Sequence, residues 1–72
     1  MKKLYVVYAS EGLRHERVYF ETYEQAVRAA GRFFDCLGYR SVSIFDRVAD
    51  RCIYHEENNS LYLAPGYKEV NA

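Results

Sequence analysis

A single segment of this chain has the period of an α-helix: TYEQAVRAAGRFFDCLG, residues 22–38. Thr22 and Gln25 match the capping box, in which each side chain satisfies a free backbone N–H group at the start of a helix. Gly38 suits the left-handed conformation that ends a helix. Apolar residues recur at steps of three and four along one side: Tyr23, Ala26, Val27, Ala30, Phe33, Phe34 and Leu37. We therefore predict one amphipathic helix between Thr22 and Gly38.

The residues on both sides of this helix have the composition of β-strands. Val, Tyr and Phe are frequent there, in short runs separated by polar residues, Gly and Pro. The predicted strands are 3–9, 16–21, 40–45, 51–55 and a short 61–63, with loops at 10–14, 46–50 and 56–60. The order β-β-α-β-β, with a brief fifth strand, predicts an α+β fold: an antiparallel sheet with one helix packed on one face.

Length and composition limit what this fold can do. The 72 residues suffice for one domain, residues 1–72, because chains divide into separate cores only well beyond this length. Ten Lys and Arg balance ten Asp and Glu, which argues against a protein that binds by neutralising phosphates. Two lysines precede only six apolar or aromatic residues, too few for a secretory signal. We expect a cytosolic protein with no membrane partner.

The two cysteines, Cys36 and Cys52, are too few for a disulfide-stabilised scaffold. We expect both to be reduced, semi-buried thiols. A single bridge between them is the alternative, and it requires Cα atoms within about 7 Å of each other.

The centre of the first hairpin determines which side chains share a face. With Gly12 at the centre, residues whose numbers sum to about 24 lie opposite each other. That register places Leu4, Val6, Val18 and Phe20 on the inner face, and Tyr5, Val7, Arg17 and Tyr19 on the outer face. A slip of one residue would exchange the faces of one strand. The predicted core is Leu4, Val6, Val18, Phe20, Val27, Ala30, Phe34, Leu37, Val42, Ile44 and Ile53.

No motif indicates catalysis, a cofactor or a metal. The run from His55 to Glu57 lacks the second histidine, one helical turn later, of the common zinc motif. The cysteines and histidines lack paired ligand spacing, and the glycines stand singly rather than in a phosphate-binding loop. We predict no enzyme activity, no cofactor and no metal site.

The sheet face opposite the helix is the candidate binding site. Eight Tyr and four Phe make up 17% of the chain, and an uncovered sheet face with several aromatic rings is typical of an interaction site. Tyr and Arg are also enriched among residues that dominate binding energy. The predicted partner-binding residues are Tyr5, Arg17, Tyr19, Phe45, Tyr54 and Tyr62, with Ser41, Ser43 and Cys52 on the same face. We predict a non-enzymatic protein that acts by protein–protein contact.

Three other interpretations of this face stay open. The face could pair with a second copy to form a homodimer anchored by Tyr5, Tyr19 and Tyr54. It could bind single-stranded nucleic acid, with Arg17, Arg40 and Arg51 contacting phosphates, although zero net charge weighs against this. Its tyrosines could also simply cover the sheet, their rings packed across strands and their hydroxyls in water.

Residues 1–7 read Met-Lys-Lys-Leu-Tyr-Val-Val, and residues 22–26, Thr-Tyr-Glu-Gln-Ala, start the capped helix. With the hairpin and the final strands, this pattern resembles, over residues 1–64, a broad group of very small proteins encoded by phages and mobile elements. Some of them, including several anti-CRISPR proteins, are stoichiometric inhibitors that cover a surface of a host defence complex. The resemblance implies an inhibitory role of that kind and assigns no functional residues.

Overall fold

A computed structural model describes residues 2–67 of the chain. The elements are β1 (Tyr5–Glu11), β2 (Arg14–Phe20), α1 (Tyr23–Gly31), a π-helical turn (Arg32–Cys36), β3 (Ser41–Asp46), β4 (Arg51–Glu57) and β5 (Ser60–Leu63). The five strands form one sheet in the order β2-β1-β3-β4-β5, and all neighbours are antiparallel. This architecture confirms the predicted α+β class with one helix on one face.

The core lies between α1 and the side of the sheet that it covers, here called the helix face; the opposite side is the open face. Strand side chains alternate between the two faces. The buried residues on the helix side are Val7, Ala9, Ala26, Val27, Ala30, Val42, Ile44, Ile53, Tyr54 and Ala64. Five predicted core residues are among them: Val27, Ala30, Val42, Ile44 and Ile53.

The rest of the predicted core is less buried or lies elsewhere. Phe20 and Phe34 are half-buried and pack against the core, and Leu4 and Val18 are half-buried. Leu37 is 53% exposed, so its assignment to the core was wrong. Val6 is buried, but on the open face.

The first hairpin is offset by one residue from the predicted register. Its loop has two residues, and Gly12 at the first of them has a φ of 58°. A positive φ at this position matches the tight turns that suit the twist of a hairpin. Tyr5 therefore pairs with Phe20 and Val7 with Val18. The slip exchanges the faces of β1, so the placement of Tyr5 on the outer face was wrong.

A β-bulge in β4 changes a second set of faces. Tyr54 pairs with Ile44 but Cys52 pairs with Phe45, which leaves Ile53 as the extra residue. Bulges break the strict alternation of side chains. Ile53 and Tyr54 are consequently both buried on the helix side, and the placement of Tyr54 on the outer face beside Cys52 was wrong.

The predicted loop 56–60 is mostly strand. Asn58 and Asn59 alone form the turn between β4 and β5, with φ values of 53° and 63°. Two successive positive φ values characterise the type I′ hairpin, and asparagine tolerates them better than most residues. Glu56 and Glu57 consequently belong to β4 rather than to a solvated loop.

The helix starts as predicted and ends through a π-helical turn. Gln25 N donates to Thr22 Oγ1 at 3.1 Å, and Gln25 Oε1 accepts from Thr22 N at 3.2 Å, which confirms the capping box. Leu37 N donates to the carbonyl of Arg32, five residues back, at 3.1 Å. Gly38 follows with a φ of 74°. The wider turn accommodates one more residue than an α-helix would before the glycine stop.

Gly31 and Gly38 allow a matched test of this helix end. Gly31 has helical angles, φ −60° and ψ −40°, and an added Cβ would meet nothing within 4 Å. Gly31→Ala should therefore raise the free energy of unfolding by about 0.5–1 kcal/mol. Gly38→Ala should lower it by about 1 kcal/mol, because alanine disfavours a positive φ. Urea titration measures both, and a destabilising Gly31→Ala would contradict this account of the π-helical turn.

The carboxylate of Asp46 links the turn after β3 to Tyr67, the last residue that the structure describes. Its buried carboxylate accepts from Val48 N at 2.9 Å, from Ala49 N at 3.1 Å and from the hydroxyl of Tyr67. The Tyr67 ring packs on that of Tyr23, with centroids 5.5 Å apart. Burial alone would raise the pKa of Asp46, but these hydrogen bonds and the charge of Arg51 outweigh it and lower the pKa below 3.8.

The lowered pKa of Asp46 makes the stability of the protein dependent on pH. A carboxyl whose pKa is lower in the folded state contributes stability above its unfolded pKa, and that contribution is lost as the pH falls through the folded value. The free energy of unfolding should therefore fall below about pH 4, and it should fall less steeply in Asp46→Asn. Asp50→Asn, an exposed site with positive φ, is the control. Equal slopes for Asp46→Asn and wild type in acid denaturation would contradict the role of Asp46.

Candidate functional site: the open face of the sheet

The open face carries its side chains in rows that run across the strands. One row crosses β2 to β4 with Tyr19, Val6, Phe45 and Cys52. The next crosses all five strands with Arg17, Tyr8, Ser43, His55 and Tyr62. A third contains His15, Ser10, Ser41, Glu57 and Ser60. Four of the predicted partner-binding residues, Arg17, Tyr19, Phe45 and Tyr62, therefore do lie on this face.

Tyr8 is the residue of this face that the sequence analysis missed. It is 43% exposed at the centre of the sheet, flanked by Arg17 on β2 and Ser43 on β3. A two-residue loop at Gly12 and Leu13, rather than a loop centred on Gly12, was the signal that would have placed it there. Tyr8 and the 51% exposed Tyr62 are the exposed aromatic side chains of the central row.

Aromatic side chains cover the middle of the first row. Val6 is only 2% exposed although no helix lies over it. It forms the floor of a shallow depression of about 230 Å³ lined also by Tyr8, Tyr19, Phe45, Arg47 and Asp50. The guanidinium of Arg47 lies 5.3 Å from the centre of the Tyr19 ring, and Arg47 Nη1 donates to the carbonyl of Lys3 at 3.1 Å. This cation–π contact holds the Tyr19 ring beside the depression.

Ser43, His55 and Glu57 form a hydrogen-bonded series on the same face. His55 Nε2 lies 3.0 Å from Glu57 Oε1, and His55 Nδ1 lies 2.6 Å from Ser43 Oγ. In the neutral ring Nε2 donates to the carboxylate, so Nδ1 accepts from the serine hydroxyl. This order of groups is the one that activates a serine nucleophile.

Within residues 2–67, the neighbouring strands occupy the backbone donors that an acyl-transfer site would need beside Ser43. β3 has a strand on each side, so its backbone N–H groups are directed at β1 and β4 rather than at a substrate. Each donor to the oxyanion accelerates acyl transfer by about 10²–10³-fold. Within the described part of the chain, the hydrogen bonds among Ser43, His55 and Glu57 therefore fix the orientation of polar side chains on the open face.

We accordingly expect Ser43 to be unreactive. Incubation with a fluorophosphonate, followed by mass spectrometry, should give no adduct on Ser43, because the backbone N–H groups of β3 pair with β1 and β4 and do not stabilise the transition state. An adduct that maps to Ser43 and disappears in Glu57→Gln would contradict this expectation and would establish a serine nucleophile.

Tyr5 and Tyr54 stabilise the helix face instead of a binding surface. The Tyr5 ring packs 6.1 Å from that of Tyr23, and Tyr54 is buried with its hydroxyl donating to Glu56 Oε1 at 3.0 Å. Burial, followed by the bond to Glu56, raises the pKa of Tyr54 strongly, and burial raises that of Tyr5. Neither ring is presented to a partner at the open face.

Arg51 also lies on the helix side. It pairs with Asp46, a helix-face residue, and its guanidinium lies 5.8 Å from the Tyr67 ring centre. Its expected role as a phosphate contact beside Arg17 on the open face is therefore wrong. Arg40 precedes β3 and donates its backbone N–H to the carbonyl of Ser10.

The remaining candidate groups are exposed thiols. Cys36 and Cys52 are both free, and both are exposed rather than semi-buried. Within residues 2–67, His, Cys, Asp and Glu side chains form no group of three that could hold a metal ion. No helix in that range has the length and apolar character needed to cross a membrane.

Comparisons with known proteins find no match for this chain. No protein-family model matches it, and neither the curated proteins nor the solved structures include one with significant similarity. The resemblance to small phage-encoded proteins consequently stays a prediction.

Proposed function

We propose that this chain is a small, non-enzymatic binding protein that contacts a protein partner through the open face. The observation that carries the proposal is the exposure of Tyr8, Tyr19 and Tyr62 on the open face, where Tyr8 and Tyr19 line the depression over Val6 and Phe45. The helix face is already covered by α1. The open face has no such cover within residues 2–67, and exposed apolar patches bordered by polar groups mark interaction sites.

The chemistry of the face suits a protein surface. Tyrosine offers a large contact area at little loss of side-chain freedom, and its hydroxyl keeps a hydrogen bond available at the rim. Arg17, Ser43 and the hydrogen-bonded His55 add polar groups beside and between these rings. Tyrosine and arginine are among the residue types enriched in protein interfaces.

A nucleic-acid ligand is less well supported. Glu57 and Asp50 border the same face, and Arg51 lies on the helix side of the sheet. A strand of phosphates would meet these carboxylates, and the chain as a whole carries no net positive charge to attract it. Inhibition of a host defence complex is the form of protein binding that the resemblance to phage-encoded inhibitors implies, and we include it in the proposal.

The double substitution Tyr8→Ser and Tyr62→Ser tests the open face. Both side chains are about half exposed, so the fold should persist, as checked by circular dichroism. Binding to a partner recovered by pull-down from the native host should weaken at least about 100-fold, because truncating a hot-spot tyrosine of an interface costs about 2 kcal/mol or more. Isothermal titration calorimetry measures this change.

Val48→Ser, at an exposed residue of the β3–β4 turn, is the matched control and should bind like wild type. The proposal fails if the double variant binds as tightly as the control. It fails also if the open face binds single-stranded DNA with an affinity that falls steeply between 50 and 500 mM salt, roughly the range over which counterion release is resolved.

A further inference from the structure

The outer edge of β2 has free backbone groups. β2 ends the sheet, with β1 as its sole neighbour in the described chain. Arg47 N donates to the carbonyl of Leu4 at 2.9 Å, so the backbone N–H and C=O groups of Leu4 are directed at β3. The direction of these backbone groups alternates along a strand, so those of Tyr5 and Val7 are directed at β2, where they bond with Phe20 and Val18. The N–H and C=O groups between them, those of His15, Arg17 and Tyr19, are therefore directed at solvent.

An apolar groove lies directly beside this edge, on the helix side. Its volume is about 280 Å³, and it is lined by Val18, Phe20, Ala29, Arg32, Phe33 and Leu37. Leu37 is largely exposed there because the π-helical turn and Gly38 end the helix beside β2. An extended chain on β2 would direct every second side chain into this groove, since residues of neighbouring strands share faces.

Arg32 is the one charged residue among those that line the groove, and its side chain makes no hydrogen bond or ion pair with residues 2–67. Arg28 and Asp35, near Arg32, and Glu16, on the helix side of β2, lie outside the groove. On the open face of β2, Arg17 would stand beside the next side chain of an added strand. An added strand with a carboxylate opposite Arg17 on the open face would pair with that guanidinium.

A second copy of this chain fits the edge poorly. Pairing β2 with β2 around a two-fold axis at Arg17 would set the two Arg17 side chains opposite each other on the open face, and like charges directly opposite are destabilising. Arg17 therefore favours a different, acidic strand.

We propose that an extended segment of a partner protein, with alternating apolar and acidic residues, adds to β2 as a sixth strand. Its backbone bonds with His15, Arg17 and Tyr19, its apolar side chains enter the groove, and its carboxylates face Arg17. Main-chain bonds supply affinity and alternate side chains supply specificity in this mode of recognition. Arg17 and Tyr19 belong to both surfaces, whereas Tyr8 and Tyr62 lie on the open face away from this edge.

The probe is a capped heptapeptide of alternating glutamate and leucine, with lysine in place of glutamate as its counterpart. Fluorescence anisotropy should show saturable binding of the glutamate peptide below about 1 mM, a weak affinity in keeping with a short strand, and at least tenfold weaker binding of the lysine peptide. Equal affinities, or no saturable binding of the glutamate peptide, would overturn the proposal.

A pair of variants isolates the backbone contribution. Arg17→Pro and Arg17→Ala remove the same guanidinium, but only proline removes the outward N–H, and proline is tolerated where an edge N–H faces solvent. Arg17→Pro should bind the peptide at least tenfold more weakly than Arg17→Ala. Peptides N-methylated on alternate residues give the same test on the unaltered protein: methylation on one edge should abolish binding, and on the other edge preserve it.

Further outcomes separate the alternatives. Ala29→Leu, which fills the groove, should weaken binding, whereas Tyr8→Ser with Tyr62→Ser should leave peptide binding unchanged. Loss of peptide binding in that tyrosine variant alone would move the site to the open face and overturn the edge. Sedimentation equilibrium that shows a wild-type dimer, dissociated by Arg17→Pro, would make a second copy the occupant and refute an acidic partner strand.

Discussion

The hairpin register between β1 and β2 is the constraint on which the rest of the structure depends. A two-residue loop at Gly12 and Leu13 sets Tyr5 opposite Phe20, and every face assignment in β1 follows from that pairing. One residue of slip would turn Val7 and Ala9 out of the core and bring Val6 and Tyr8 under the helix. The same register determines which backbone groups of β2 remain free at its outer edge.

The sequence predicted local features well and long-range ones less well. Thr22, Gln25 and Gly38 defined the helix, because caps depend on a few neighbouring residues. Ser41 to Phe45 alternated clearly enough to place those five side chains on their faces of β3, although Asp46, the last residue of the strand, was assigned to the turn. β1 has Val6 and Val7 side by side, so its pattern could not show which of them faces the helix. The bulge at Ile53 depends on the pairing of β4 with β3, and a period of two cannot reveal it.

The candidate site, too, was predicted correctly where local patterns sufficed and wrongly where strand pairing decided the faces. Arg17, Tyr19, Phe45 and Tyr62 lie in strands whose faces the sequence predicted correctly, whereas Tyr5 and Tyr54 were misplaced by the slip and by the bulge. A domain with one helix leaves both an uncovered sheet face and an edge, so one small chain has two adjoining surfaces that a partner could engage.

The strand order has a consequence for how the chain assembles. Hairpins between strands close in sequence pair β1 with β2, β3 with β4, and β4 with β5. β1 and β3 are neighbours in the sheet, but β2 and the helix separate them in the sequence. Hairpins form within microseconds, but joining distant strands first requires closing a long loop. The seam from Tyr8 to Ser43 is therefore where we expect the folding barrier, and the two halves of the sheet condense there around α1.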